Sequence, residues 1–297
     1  GLDNFMDNRS QSSVETPSGK DAAYENFPVG SWLLPAALRP HIATFYRFAR
    51  TIDDIADSPD LEPDDKVARL DGFASALKDG RNEGGAFETG LRMRISLQET
   101  DITTRHCLDL IDAFKQDAVK KRYDDWQDLM GYCTRSASPV GRYLIDLHGG
   151  SDNGYGPSDA LCNALQVINH IQDCKDDYLT LDRVYLPGDW MGEEGIGVAA
   201  LAKDRSSPPV RRVINRALSA TEDLMVEAWR LPVGLRSRRL AMESAAILHI
   251  AERLIARLRT EDPLAARVAL TKPGYAWQCI RGAIPVAFGL WLQRRPV

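Results

Sequence analysis

The chain has 297 residues, 44% hydrophobic and 27% charged, with a formal net charge of −5. That composition describes a globular protein long enough to bury a substantial core, and its acidic balance argues against a nucleic-acid partner. Five cysteines without a C-x-x-C pair and five histidines without H-x-x-x-H spacing exclude the common zinc patterns. They point instead to reduced thiols in a cytoplasmic setting.

Residues 1–22 are polar, rich in Ser, Asn and Gly, and lack the apolar core of a signal peptide, so they read as a disordered arm. From residue 23 to 297 the pattern predicts one all-α domain of roughly ten helices. Phe45, Phe48, Ile52 and Ile55 open the series. Val67, Leu70, Ala74 and Leu77 follow, then Leu108, Ile111, Phe114 and Ala118. Leu161, Leu165 and Ile168 form a fourth stripe, and Leu248, Ala251, Leu254 and Leu258 a fifth, all at three- and four-residue steps. SPDLEPDD, DGRNEGG, HGGSDNGYGPSD and DRSSPP punctuate them as turns. No run of period-2 alternation suggests a strand. Near the end, AIPVAFGLWLQRR is apolar and then basic, shorter than the ~20 residues that span a bilayer. A core helix with a solvated end is the favoured reading of it, and peripheral contact with the inner membrane is the other.

Two segments carry charge where charge is costly. In RTIDDIAD, Asp53 and Asp57 lie four residues apart on a helix that is otherwise apolar, and Tyr46 and Arg50 continue the same line. In LCNALQVINHIQDCKDDYLTLDRVYLP, Gln166, Asn169, Asp173 and Asp177 stack on one helical face, flanked by Leu165, Val167, Ile168 and Ile171. One such pair is ordinarily a solvated face or an ion-pair partner. Two in apolar context favour a shared site, because buried carboxylates are costly unless they are paired or bind metal. An oxygen-rich site of this kind suits Mg2+, which keeps waters and substrate phosphates as its remaining ligands. The two pairs, Asp53 with Asp57 and Asp173 with Asp177, are the candidate metal ligands.

With the DRVYLP that follows, these motifs resemble the paired aspartate-rich motifs of the squalene, dehydrosqualene and phytoene synthases. The resemblance runs from about Tyr24 to the C-terminus. ENFPVGSWLLP, FYRFARTIDDIAD and NHIQDCKDDY are most similar to the family's bacterial hopanoid-pathway members. It implies a class I isoprenoid synthase helical bundle around a central cavity, with three Mg2+ ions gripping a prenyl diphosphate. It implies that Asp53 and Asp57 form a first metal-binding set and Asn169, Asp173 and Asp177 a second, with catalytic roles for Asp53, Asp57, Asp173, Asp177 and Tyr132. Substrate contacts are implied for Tyr46, Arg50 and Gln166, and for His249, which stands where the family often has a tyrosine. Arg267 falls near a basic position, and Val140 and Gly141 at a helix break. Phe27, Phe45, Phe48 and Tyr132 are aromatic candidates for stabilising positive charge. His170, beside the metal-binding set, reads either as a group supporting the site or as a structural histidine.

Two departures stand out. Ala23–Phe27 replaces a His-x-x-Ser-Phe, and Gln172 replaces an arginine before the second motif. Both remove polar contacts to a diphosphate and put the full two-substrate coupling in question. The hopanoid-branch likeness implies instead that presqualene diphosphate loses diphosphate, rearranges and is trapped by water as hydroxysqualene. No nicotinamide is then expected, and other pathway enzymes supply the substrate and consume the product. Head-to-head coupling of two farnesyl diphosphates, a magnesium-dependent hydrolase and a non-catalytic helical scaffold remain as alternatives. A chain-elongating synthase or terpene cyclase fits DDIAD but not the later D-x-x-D-D.

Overall fold

The computed structural model describes residues 34–287, so the expected arm at 1–22, Phe27, the Ala23–Phe27 departure and the last ten residues lie outside it. Thirteen α-helical segments are found among the described residues, linked by turns and short 3₁₀ pieces. Three of them are short, which accounts for the surplus over the ten that periodicity predicts. The single piece of extended pairing there is an isolated parallel bridge between Arg122 and Val184.

The first group comprises α1 (Arg39–Asp57), α2 (Pro63–Asp79), α3 (Glu88–Thr100) and α4 (Arg105–Val119). Each of these four packs on others of the group. Helix α1 buries Ile42, Phe45, Phe48, Ala49, Ile52 and Ile55 on one stripe, as its spacing predicts. Helices α5 (Trp126–Ser136) and α6 (Ser138–Leu147) connect this group to α7 (Tyr155–Gln172) and α8 (Cys174–Leu181). The break between α5 and α6 falls at Ala137 (φ −124°, ψ −49°), with Pro139 in the first turn of α6. It is therefore upstream of Val140 and Gly141, where the resemblance placed it. Gly141 serves close approach instead: a Cβ there would sit 2.1 Å from Ser158 Oγ.

After α9 (Gly188–Glu193), helix α10 (Pro208–Ala228) packs on α7. The chain then passes through α11 (Leu231–Gly234) to α12 (Arg238–Thr260) and α13 (Lys272–Ala287). Asp125, Ser207 and Ser237 cap α5, α10 and α12 by accepting from backbone N–H groups one turn on. Among the described residues no helix is long and apolar enough to cross a membrane.

Phe45 and Phe48, the two aromatic candidates on α1, are core. Phe45 stacks on Tyr143 of α6 with centroids 4.0 Å apart, and Phe48 meets Phe73 of α2 edge-on. Five free cysteines are present, four of them buried.

Helices α12 and α13 lie so close that Gly282 leaves no room for a side chain: its Cβ would fall 2.4–2.5 Å from the backbone of Ala245 and Ala246. Backbone cannot swing aside as a side-chain tip can. Gly282→Ala is therefore expected to push the two helices apart and cost about 1–3 kcal/mol, read as a lower urea midpoint.

Candidate active site

The two acidic motifs meet. Asp53 and Asp57 from the last turns of α1 face Gln166, Asn169, Asp173 and Asp177 from α7 and α8 across one cleft of about 480 Å3, open at its mouth. Tyr132 of α5 lines it too, as do His170, Asp117 of α4, and Arg183 and Tyr185 from the segment after α8. The polar line of the second motif survives a local distortion. Asp173 is the junction between α7 and α8 (φ −106°, ψ 11°), yet its N–H still bonds Asn169 O and its carbonyl still accepts from Asp177 N–H. Spacing of three and four residues therefore continues through the bend.

Asp117, Arg183 and Tyr185 are site residues that the motif reading missed. Asp117 is 2% exposed and accepts from both the Tyr132 hydroxyl and the Tyr185 hydroxyl, the latter at 2.7 Å. Tyr185 stacks on His170 at 3.7 Å. A signal for Asp117 was available, since it sits on the same stripe of α4 as buried Leu110, Ala113 and Phe114. A carboxylate on an apolar stripe demands a partner. Arg183 and Tyr185 stand within the DRVYLP that marks the resemblance, but its letters do not reveal that they fold back beneath the cleft. They do so because residues 121–124 pair with 184–189 through Val184 N–H to Lys121 O and Gly188 N–H to Tyr123 O.

Electrostatics set the protonation states. Burial first, then the charges of Asp57, Asp117 and Asp54, push the Asp53 carboxyl well above its ordinary range, with Arg183 opposing. Burial likewise raises Asp117 and the phenols of Tyr132 and Tyr185, so the tyrosines remain neutral donors. His170 is driven down to about 3 by burial and by Arg183, which leaves a neutral imidazole in the wall. Its Nε2 is enclosed and has no hydrogen-bond partner.

Other expected contacts are placed differently. Arg50 is exposed, lies 3.9 Å from Asp54, and is not among the residues that line the cleft. Tyr46 is buried edge-on to Phe45 and does not line the cleft. His249 lies edge-on to Trp229 at 5.2 Å, between α10 and α12, and is also outside the lining. Gln166 is in the cleft and donates to Ser136 Oγ at 3.4 Å. Arg267, in the turn before α13, pairs with Asp173 at 2.9 Å. Gln172 is buried and points the other way, donating at 2.7 Å to Val268 O. The residue that replaces an arginine thus anchors the chain that delivers Arg267.

Among the described residues no three acidic or histidine side chains close into a metal cage. The donors come as pairs on facing walls, a set that fits a hard cation whose other ligands are water and substrate oxygens. The wall also changes character along α7. Its C-terminal half supplies the polar line, while Ser158, Leu161 and Cys162 in its N-terminal half line a separate small pocket, apolar over most of its surface but with buried Glu243 in its wall. Leu144, Ile145, Leu231, Leu235, Leu240 and Ile247 complete most of that cavity. Leu161 and Gln166 are five residues apart, roughly 7.5 Å along the helix axis.

A helical bundle with aspartates on facing walls is the architecture of the isoprenoid synthases, and solved structures agree. A squalene synthase HpnC from Alicyclobacillus acidocaldarius superposes with a TM-score of 0.68 at 33% identity, covering 80% of this chain and 88% of that one. A dehydrosqualene synthase superposes at 0.70 with 19% identity over 87% and 89% of the two chains, which shows the shared fold. The squalene/phytoene synthase family model matches residues 21–273, and the chain belongs to that family of isoprenoid-biosynthetic enzymes. It is 41% identical to a hydroxysqualene synthase of Rhodopseudomonas palustris over 87% of this chain and 88% of the relative. A hydroxysqualene synthase of Zymomonas mobilis is 40% identical over 84% of each.

Because the folded protein disfavours ionised Asp53, that group's contribution to stability is full below the ordinary carboxylate pKa and is lost as pH rises above it. Asp53→Asn removes the penalty. In chelator, the variant is expected to melt at or above the wild-type temperature, with a flatter decline from acid to neutral pH, as measured by scanning calorimetry.

Proposed function

We propose that the protein ionises presqualene diphosphate in a magnesium-dependent reaction and traps the rearranged carbocation with water, releasing hydroxysqualene and diphosphate. The observation that carries this reading is the two-ended wall of α7, polar where the aspartates converge and apolar where the second cavity lies. A substrate with a charged head and long hydrocarbon tails matches both ends. Similarity to hydroxysqualene synthases over most of the chain's length supports this reading over the others in the family.

Asp53 and Asp57 on one wall, with Asn169, Asp173 and Asp177 on the other, would hold the cations. Magnesium supplies Lewis acidity that stabilises the departing diphosphate. Arg267 stands at the same wall, and its guanidinium is suited to a charge-assisted bond with a phosphate oxygen. Tyr132, Tyr185 and His170 line the cleft as uncharged rings. A tyrosine face turned to a cation stabilises it by about 0.5–2 kcal/mol. Enclosure by the helices limits water, so that one addition follows rearrangement rather than early quenching. Substrate and product are both strongly apolar, so exchange with the inner-membrane surface belongs to the same reading.

The test is incubation with presqualene diphosphate and magnesium, without nicotinamide, in water enriched in 18O. Hydroxysqualene carrying one labelled oxygen is expected. Turnover of farnesyl diphosphate alone to presqualene diphosphate would overturn the choice of step. Asp53→Asn and Asp177→Asn should each lower kcat by about 100-fold or more, on the scale of lost electrostatic stabilisation of a leaving group.

A further inference from the structure

Arg183 is joined to both acidic walls. Its guanidinium donates from Nη1 to Asp57 Oδ1 at 2.5 Å and from Nη2 to the carbonyl of Ala56, on the first wall. Its own backbone N–H donates to the carbonyl of Asp177 at 3.1 Å, on the second. The side chain is 2% exposed, yet it lines the cleft. Lys66 of α2 reaches the same Ala56 carbonyl from the far side, Nζ to O at 2.8 Å. Two cations therefore close the C-terminal end of α1, where the helix dipole is negative and where the helix carries no basic residue in its last turn.

Three carboxylates, Asp53, Asp57 and Asp117, surround this guanidinium closely enough for their charges to be felt by one another. Burial works against its charge, but Tyr185, Asp117 and Asp57 more than offset that, so it stays protonated. A strut built only to hold the fold would have its donors satisfied. The Nε of Arg183 is enclosed and has no acceptor. The arrangement is charge-balanced but incomplete in hydrogen bonds.

We infer that Arg183 is a positioning residue that stands in for divalent cation before substrate arrives, holding the acidic walls assembled and Asp57 oriented across the cleft. The inference rests on the proposed cation-diphosphate role of the cleft. Its consequence is a linkage: what Arg183 contributes to stability is large when the cleft lacks cations and shrinks when they supply the same neutralisation. An ordinary internal ion pair contributes equally in both conditions.

The experiment compares thermal unfolding of the full chain in chelator and in magnesium chloride with inorganic pyrophosphate, for wild type, Arg183→Gln and Arg183→Lys. Wild type is expected to be stabilised by the additions. Arg183→Gln should unfold several degrees below wild type in chelator and recover most of the difference with magnesium and pyrophosphate. Arg183→Lys, which keeps the charge, should fall between them in chelator. If Arg183→Gln does not fold in chelator, refolding rescued by magnesium and pyrophosphate supports the inference, and refolding that fails in both overturns it. A deficit that is the same in both conditions, or absent from both, also overturns it. A wild type that the additions do not stabilise removes the underlying reading of the cleft, an outcome distinguishable from all the others.

Discussion

Everything in this molecule follows from the difficulty of keeping like charges together in a place with little water. Asp53, Asp57 and Asp117 converge from α1 and α4, and Asp173 and Asp177 face them from α7 and α8. Each carboxylate is manageable alone. Together they are tolerable only because arginines, tyrosine hydroxyls and the open mouth of the cleft share the load. Arg183 answers Asp57, Arg267 answers Asp173, and two tyrosine hydroxyls answer Asp117. The helical bundle fixes these partners in place: Tyr132 comes from α5, Arg183 and Tyr185 from the segment after α8, and Arg267 from the turn before α13.

That division explains why the scaffold is rigid at some points and plain at others. Stacked Phe45 and Tyr143 lock α1 to α6, and Tyr143 also donates to His41 O. The paired stretches 121–124 and 184–189 hold Tyr185 beside Tyr123, Tyr132 and His170, an aromatic cluster under the polar cleft. Along α7 one helix surface turns from apolar to polar within about a turn and a half. The polar cleft and the separate apolar pocket are therefore served by two halves of the same helix.

The helical class and both aspartate lines were legible in the sequence, because periodicity reports directly which residues share a face. The kink at Asp173 did not hide the second line, since the backbone bonds run through it. Periodicity does not say which face meets which, and there the reading ran out. Arg50 continues the line of Asp53 and Asp57 but stands toward the solvent, 3.9 Å from Asp54, and does not line the cleft itself. Asp117 was signalled as a carboxylate on an apolar stripe and Arg183 as part of DRVYLP, but only three-dimensional closure brings them to the cleft. Gln172 looked like a lost diphosphate contact, and its amide proves to be committed to Val268. A helix break expected at Val140 and Gly141 sits at Ala137, because Pro139 starts a new helix rather than interrupting one.

The Gln172–Val268 bond ties the second aspartate line to a turn nearly a hundred residues away, and Arg257 fastens the same turn through Ala269 O. That turn is consequently held in register at two points, with Arg267 beside the first. Arg267 is thereby placed by the two residues that follow it and not by the length of the connection that leads up to it. A stretch between helices that would otherwise swing freely is pinned to α7 on one side and α12 on the other.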